Sequence, residues 1–527
     1  MTQLLEAADL LADFRKRKDE GELDAEWVER QSARAADLVI SFHRESDGRE
    51  HGAGGHEGYP RDAVTLLCEI TSNEDQEVTR AGVRALFPGL IERLNDSFDP
   101  AACDLYNRIF AQVIDYYRRF PQARLPQAMA FDEALRGFGL MNEADLLARK
   151  SSILNPRSSI LDPQSSILKV LLLSRVTIGA DVAVTSVIIA KLRALLPRAE
   201  FVLLGPAKLR ELFGGDGRVR IREIKYERGG GALSRLMSWI DVVEAARDEI
   251  GGLQADEFLL IDPDSRLTQL GLLPLLEDER KYLFFESRSY QVLQDIDESN
   301  PQSQSPNPQS IGQLASCWAN EVFGVTGETF PYVALPDEHR NFGLRVVEKL
   351  RRAGASRVTA VSLGVGGNQS KRVSEEFEIG LVNQLINEST LILDKGATGE
   401  EREQINIIAA KLSAAGRAVV EIDESGRSDA ISREKIEADA VTWDGGIGAF
   451  AGLIAASDRY VGYDSAGQHI AAALGVPTLT IFVNSSSPTF AERWRPYGPG
   501  NIEVLNIEAA SGIGDWRLKV GQWLNRS

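Results

Sequence analysis

The chain has 527 residues, enough for about two to four domains. Its 43% apolar and 26% charged content suits a globular protein and argues against wholesale disorder. With 59 Lys and Arg against 77 Asp and Glu, the net charge of −18 excludes a broad nucleic-acid or anionic-membrane footprint, though not a local basic pocket.

Residues 1–150 read as an all-helical accessory domain: Leu4, Ala7, Ala8, Leu11 and Phe14 fall at helical spacing, as do Leu105, Ile109, Val113 and Tyr116 or Tyr117. Within it, HRESDGREHGAGGHEGYP carries His51 and His56 among acidic residues, but the five-residue spacing fits no standard metal motif. A solvated loop is the reading there. Residues 151–166 read as a linker, because SSILNPR, SSILDPQ and SSILKVL repeat every seven residues with Pro156 and Pro163 breaking any continuous helix. A similar texture at NPQSQSPNPQS, from Asn300, reads as a surface insertion.

From residue 167 short apolar runs alternate with amphipathic segments. KVLLLS from Lys169, FVLLG from Phe201 and EFLLID from Glu257 are strand-like, with the helical VAVTSVIIAKLRALLP between the first two. A second series runs RVTAVSLG, LILDKG, AVVEID, RYVGYD and TLTIFV. Such alternation implies parallel sheets covered on both faces, and two Rossmann-like domains at 167–335 and 336–527.

The stretch YVGYDSAGQHIAAALGVPTLTIF, from Tyr460, is the most informative. Asp464 ends a strand, Ser465 is placed to cap a helix with Gln468 completing a capping box, Gly475 suits the C-terminal end, and Pro477 stops continuation. Ala466 and Gly467 leave the first turn uncrowded, so its free N–H groups and the helix dipole could hold a phosphate between Asp464 and His469. The plainer alternative is an ordinary cap and a core histidine.

The block from Ile447 to Gly498 resembles the C-terminal signature of glycosyltransferase family 9, the ADP-heptose:lipopolysaccharide heptosyltransferases and their relatives. Asp464, Ser465 and His469 match its pattern in register. Ala466 stands where the family glycine is usual, and Phe482, Val483, Asn484 and Ser485 depart from the following family loop. A weaker resemblance extends over residues 167–527. It implies a GT-B-like pair of Rossmann-like domains, preceded here by the helical domain, with WRLKVGQWL from Trp516 as a last helix packing back toward the other domain, and an inverting transfer without a metal or other cofactor. The implied substrates are a nucleotide-diphosphate sugar, an ADP-sugar favoured, and a glycan or lipid-linked acceptor.

The resemblance also assigns roles residue by residue. In VSLGVGGNQSKR, Lys371 would neutralise the diphosphate; otherwise it is a solvated junction lysine. In LDKGATGEEREQ, Glu400 would meet the ribose, with Glu401 a near rival, unless both simply complement the helix dipole. In LLLSRVTIGADVAV, Asp181 would be the general base, one residue beyond the adjacency to Gly179 that the family shows; the alternative is a helix N-cap. Asp464, Ser465, Ala466, Gly467 and His469 complete the donor site. IDPDSR, with Asp262 and Asp264, reads as a loop near the acceptor cleft rather than a metal site.

Three separated cysteines make neither a disulfide framework nor a thiolate metal site. No signal peptide or membrane span is read, so the expected location is cytoplasmic, with peripheral association at the inner membrane face allowed. The helical domain is expected to bind a protein partner or self-associate, and no nucleic-acid partner is expected. Two other readings stay open: a sugar-nucleotide epimerase of the same fold, and a degenerate nucleotide-sugar-binding interaction protein.

Overall fold

The computed structural model describes residues 2–46, 58–119, 126–153, 166–226, 231–291, 309–366, 368–423, 434–483, 487–508 and 516–526. The glycine-rich loop around His51 and His56, most of the seven-residue repeats, the NPQSQSP insertion and Asn484 and Ser485 lie outside these residues.

The strands form two sheets in a mixed α/β fold. The first comprises β1 (Lys169–Leu173), β2 (Glu200–Gly205), β3 (Val219–Glu223), β4 (Phe258–Asp262) and β5 (Tyr282–Phe284), in the order β3-β2-β1-β4-β5. The second comprises β6 (Val358–Ser362), β7 (Thr390–Asp394), β8 (Val419–Asp423), β9 (Ala440–Asp444), β10 (Arg459–Tyr463), β11 (Thr478–Val483) and β12 (Ile502–Ile507). Its order is β12-β11-β10-β6-β7-β9-β8, and every neighbouring pair is parallel. Burial on both faces explains the nearly unbroken apolar runs: all five residues of β6 and all six of β11 are buried.

By its contacts the chain divides into two units. The first holds residues 1–157, 169–174 and 223–291. Its helices follow the expected faces: Ala7, Leu11 and Phe14 are buried on Thr2–Glu20, and Leu105, Ile109, Val113 and Tyr117 on Pro100–Arg118. Asp99 caps the latter helix, and Pro100 stands in its first turn, where no N–H is needed. The helical segment is packed into this unit rather than tethered to it. Phe131 meets Trp239 edge-on at 5.7 Å, Arg235 lies 3.6 Å over Phe87, and Lys150 donates to the Leu270 carbonyl at 2.7 Å.

The second unit holds residues 158–168, 175–222 and 292–527. Its seven-stranded sheet is clamped on one side by two helices that cross at glycines. A Cβ on Gly343 of helix Asp337–Arg352 would lie 1.9 Å from the Gly452 carbonyl oxygen of helix Ile447–Ala456, and one on Gly452 would lie 2.0 Å from the His339 oxygen. Both contacts are with backbone, which cannot swing aside. Gly343→Ala is therefore expected to cost about 1–3 kcal/mol through overpacking, read as a lower melting temperature; an unchanged melt would show that the helices separate freely.

The closing helix Trp516–Arg526 forms as expected, but it packs on the C-terminal sheet of its own unit. Trp516, Val520, Trp523 and Leu524 enter that sheet's core, Trp516 tilts against Phe377 at 4.7 Å, and Arg459 donates to the Leu524 carbonyl. The helix's apolar face is consumed within that unit.

Candidate donor-sugar site

The candidate site lies within the second unit. β10 ends at Tyr463, and Ser465 takes an extended backbone at the N-cap of helix Ala466–Ala473. Gly475, with φ of +72°, ends the helix as its sequence position predicts. Gly467 has no freedom to change: a Cβ there would sit 2.2 Å from the Tyr460 hydroxyl oxygen, buried beneath it. The first turn is thus bare. Asp464, Ser465 and Ala466 are partly exposed while Gly467, Gln468 and His469 are buried, so the positive end of the helix opens outward on a firm floor.

The expected capping box does not form. Ser465 makes no side-chain cap bond. Gln468 instead sends its Nε2 to Asp464 Oδ1 at 2.7 Å, and the Thr480 hydroxyl donates to its Oε1. In a capping box the glutamine oxygen would accept from the Ser465 N–H; here the Thr480 hydroxyl occupies that oxygen, while the charged Asp464 carboxylate draws the amide N–H. The other Asp464 oxygen, Oδ2, accepts from Lys371 Nζ at 2.6 Å, and Lys371 lies 5.5 Å from the Phe490 ring centroid. His469 is 4% exposed, with its Nε2 3.2 Å from Gln468 Nε2 and its ring edge-on to Trp494. Burial, helped by the Lys371 charge and opposed by Asp464, pushes the imidazole down to about 4. It is neutral at ordinary pH.

The glycine–aspartate segment after β1 meets this helix. A Cβ on Gly179 would come within 3.1 Å of Ala466 Cα and 3.3 Å of His469 Cδ2, so the absence of a side chain lets the two backbones approach. Asp181 is fully buried in a π-helical turn, Asp181–Thr185, and is not an N-cap. Its Oδ1 accepts from the Arg175 N–H at 2.8 Å and the Thr185 hydroxyl at 2.9 Å. Between them Val176 sits at φ of +68°, a strained setting for a β-branched residue. Arg175 lies 5.8 Å from the centroid of Trp494, the same ring that touches His469.

The structure therefore brings Lys371, Asp464, Ser465, Ala466, Gly467 and His469 to one helix end, with the Gly179 turn against it. Glu400 stands exposed in the first turn of helix Gly399–Ala414. Its rival Glu401 is buried and structural: Oε1 accepts from the Val365 and Gly366 N–H groups at 2.7 and 2.9 Å, Oε2 from Ala397 and Thr398 at 2.9 and 3.1 Å. Desolvation alone would raise its carboxyl, but the four N–H donors outweigh it and hold the group below its usual range. Thr398 and Glu401 also form a capping box, a signal legible in the sequence as Thr-x-x-Glu. Two further residues escaped the sequence reading. Gln468 gave a cap signal, but not its side-chain partners. Asp394 ends β7, accepts from Ser362 Oγ at 3.0 Å and is pushed up to about 6 by burial.

In the first unit, Asp262 and Asp264 are committed to the protein. Asp262 accepts from the Ser265 N–H and from the hydroxyls of Thr268 and Tyr282; Asp264 accepts from Ser287 and Arg288. Their oxygens hold a loop together. Among the described residues no cluster of three or more His, Cys, Asp or Glu could hold a metal ion, and no helix is long and apolar enough to cross a membrane.

Residues 445–512, which contain the Asp464–His469 turn, match the family model of glycosyltransferase family 9 (heptosyltransferase). No curated protein matches the chain. Among solved structures it is similar to a glycosyl transferase family 9 protein from Veillonella parvula at 13% identity, covering 69% of this chain and 93% of that one, with a TM-score of 0.44. The E. coli ADP-heptose lps heptosyltransferase II is similar at 17% identity, with 68% and 99% covered and a TM-score of 0.43. The E. coli heptosyltransferase WaaC with ADP follows at 14%, with 68% and 100% covered and a TM-score of 0.42.

Proposed function

We propose that this chain, whose C-terminal segment carries the family 9 signature, is an inverting glycosyltransferase that moves a sugar from a nucleotide-diphosphate donor, an ADP-sugar favoured, to an acceptor hydroxyl. The observation that carries this reading is the convergence of Lys371, held 2.6 Å from Asp464 Oδ2, with the bare Ser465–Gly467 helix end that follows Asp464 and the Gly179 turn packed against it. One cation and a helix N-terminus suit a diphosphate without requiring a metal.

In the proposed reaction the donor phosphates lie on the N–H groups of the first turn and against Lys371. Asp181 takes the proton from the acceptor hydroxyl as its oxygen bonds to the anomeric carbon. The bond from that carbon to the diphosphate oxygen breaks on the opposite face, and the anomeric centre inverts. The nucleoside diphosphate leaves with its new charge stabilised by Lys371 and the helix dipole. His469, neutral, would add a hydrogen bond rather than a charge. The acceptor is proposed to be a glycan or lipid-linked hydroxyl, with the protein acting in the cytoplasm or at the inner membrane face.

Calorimetric titration with ADP, UDP, GDP and CDP tests the donor site. One nucleotide is expected to bind, and Lys371→Ala to weaken it about 10–100-fold, as for loss of a hydrogen bond to a charged group. A folded protein that binds none of the four refutes the proposal. A second reading, donor binding without transfer, draws on the complete burial of Asp181 and its bonds from the Arg175 N–H and the Thr185 hydroxyl. Binding with neither transfer nor hydrolysis would favour it.

A further inference from the structure

Gln468 is fully buried, as is Thr480, and belongs to no part of the proposed chemistry, yet it touches two residues that do. Its amide orientation is decided by charge. Turned the other way, Oε1 would face the Asp464 carboxylate oxygen at 2.7 Å, lone pair against lone pair. With Nε2 toward Asp464, Oε1 is left for the Thr480 hydroxyl, and that bond is present. The amide then has one N–H remaining. It faces His469 Nε2 at 3.2 Å and the Trp494 carbonyl at 3.4 Å, the histidine being nearer. An imidazole nitrogen facing an N–H must be the unprotonated one, so the proton of neutral His469 belongs on Nδ1.

We infer that Gln468 is the positioning residue of the site: oriented by Thr480, it holds Asp464 for Lys371 and selects the Nδ1–H tautomer of His469. The inference rests on the donor-site reading for its consequence in catalysis, and on geometry alone for the tautomer. Gln468 touches no reacting atom. It acts through Asp464, whose second oxygen keeps the Lys371 ammonium near the helix end, and through His469, which it leaves with a donor at Nδ1.

The test uses the full chain labelled with 15N-histidine, with the His469 signals among the five histidines assigned by their loss in His469→Gln. In the wild type, His469 is expected as the Nδ1–H tautomer. Gln468→Met keeps the volume but removes both N–H donors. It is expected to shift His469 to the Nε2–H form or a mixture, and to raise the donor KM about tenfold, the cost of one charge-assisted hydrogen bond, with kcat within about twofold. Thr480→Val, which removes only the orienting hydroxyl, should move the tautomer the same way to a smaller extent. An Nε2–H tautomer in the wild type, or no tautomer change in a folded Gln468→Met, overturns the inference. Should Gln468→Met fail to fold, an unchanged tautomer in Thr480→Val overturns it instead. The tautomer is read in the ligand-free protein, so a failure of the glycosyltransferase reading appears separately, as wild-type protein that binds no nucleotide.

Discussion

Asp181→Asn is expected to lower sugar transfer by about 10²–10⁴-fold, the usual contribution of a positioned general base, while the nucleotide affinity stays within about twofold. The substitution keeps the size and keeps one oxygen, so the bonds from the Arg175 N–H and the Thr185 hydroxyl survive if the amide oxygen takes the Oδ1 place. What is lost is the ability to accept a proton. The melting temperature separates this from damage to the fold, since a carboxylate with a purely structural part would be replaced by an amide with little change in rate. Turnover that persists at the wild-type level in a folded Asp181→Asn protein would remove Asp181 from the mechanism. A fall in nucleotide affinity as large as the fall in rate would make it a structural support of the donor helix, against which its own turn packs through Gly179. The strained Val176 deserves the same assay: its left-handed backbone lies in the turn that presents Asp181, and Val176→Gly relieves the strain without touching the carboxylate.

Much of this arrangement is legible in the sequence because it is written locally. The strands appear as unbroken apolar runs bounded by Gly, Pro and Asp, since parallel strands are buried on both faces. The helix Ala466–Ala473 is readable from end to end, with Asp-Ser before it and Gly475 and Pro477 after it, because caps and stops act over three or four residues. The assignments that fail depend on residues distant in sequence. Gln468 sits where a capping box needs a glutamine, but Thr480 on the next strand takes its oxygen and Asp464 its nitrogen, and no local pattern reveals that competition. Glu400 and Glu401 are alike in sequence. They separate only when the turn at Val365 and Gly366 folds against the turn at Ala397 and Thr398, leaving the second glutamate buried and the first exposed. The closing helix shows an apolar face but not its partner. Amphipathicity says that a face is covered, and topology decides by what.

Glu401 is where removal of a single side chain should cost the second unit most. Its carboxylate is the shared acceptor for two N–H groups from each of two turns. It is also enclosed by glycines: a Cβ on Gly364 would lie 3.0 Å from Oε1, and one on Gly396, at φ of +71°, 2.6 Å from Oε2. Glu401→Ala leaves those N–H groups, one buried and three partly buried, without their charged acceptor, with a loss of about 1–3 kcal/mol expected. Glu401→Gln keeps one acceptor oxygen but turns an NH2 group toward the other pair of donors, so it should fall between. The pH dependence carries the sign. The native carboxyl is held below its ordinary 4.5, so its contribution is complete above that value and is lost as pH falls through the lower native one. Asp394 works in the opposite direction: raised from 3.8 to about 6, it contributes fully below 3.8 and loses that contribution as pH rises through 6. Urea melts from pH 3 to pH 7 should therefore show Glu401→Gln losing least stability, relative to wild type, at the acid end and most near neutrality. Asp394→Asn should gain relative to wild type as pH rises from about 4 to 6 and level off above that. A Glu401→Gln deficit that is the same at every pH would mean that the four N–H groups do not favour the carboxylate over the acid, and that the two turns are held together by packing alone.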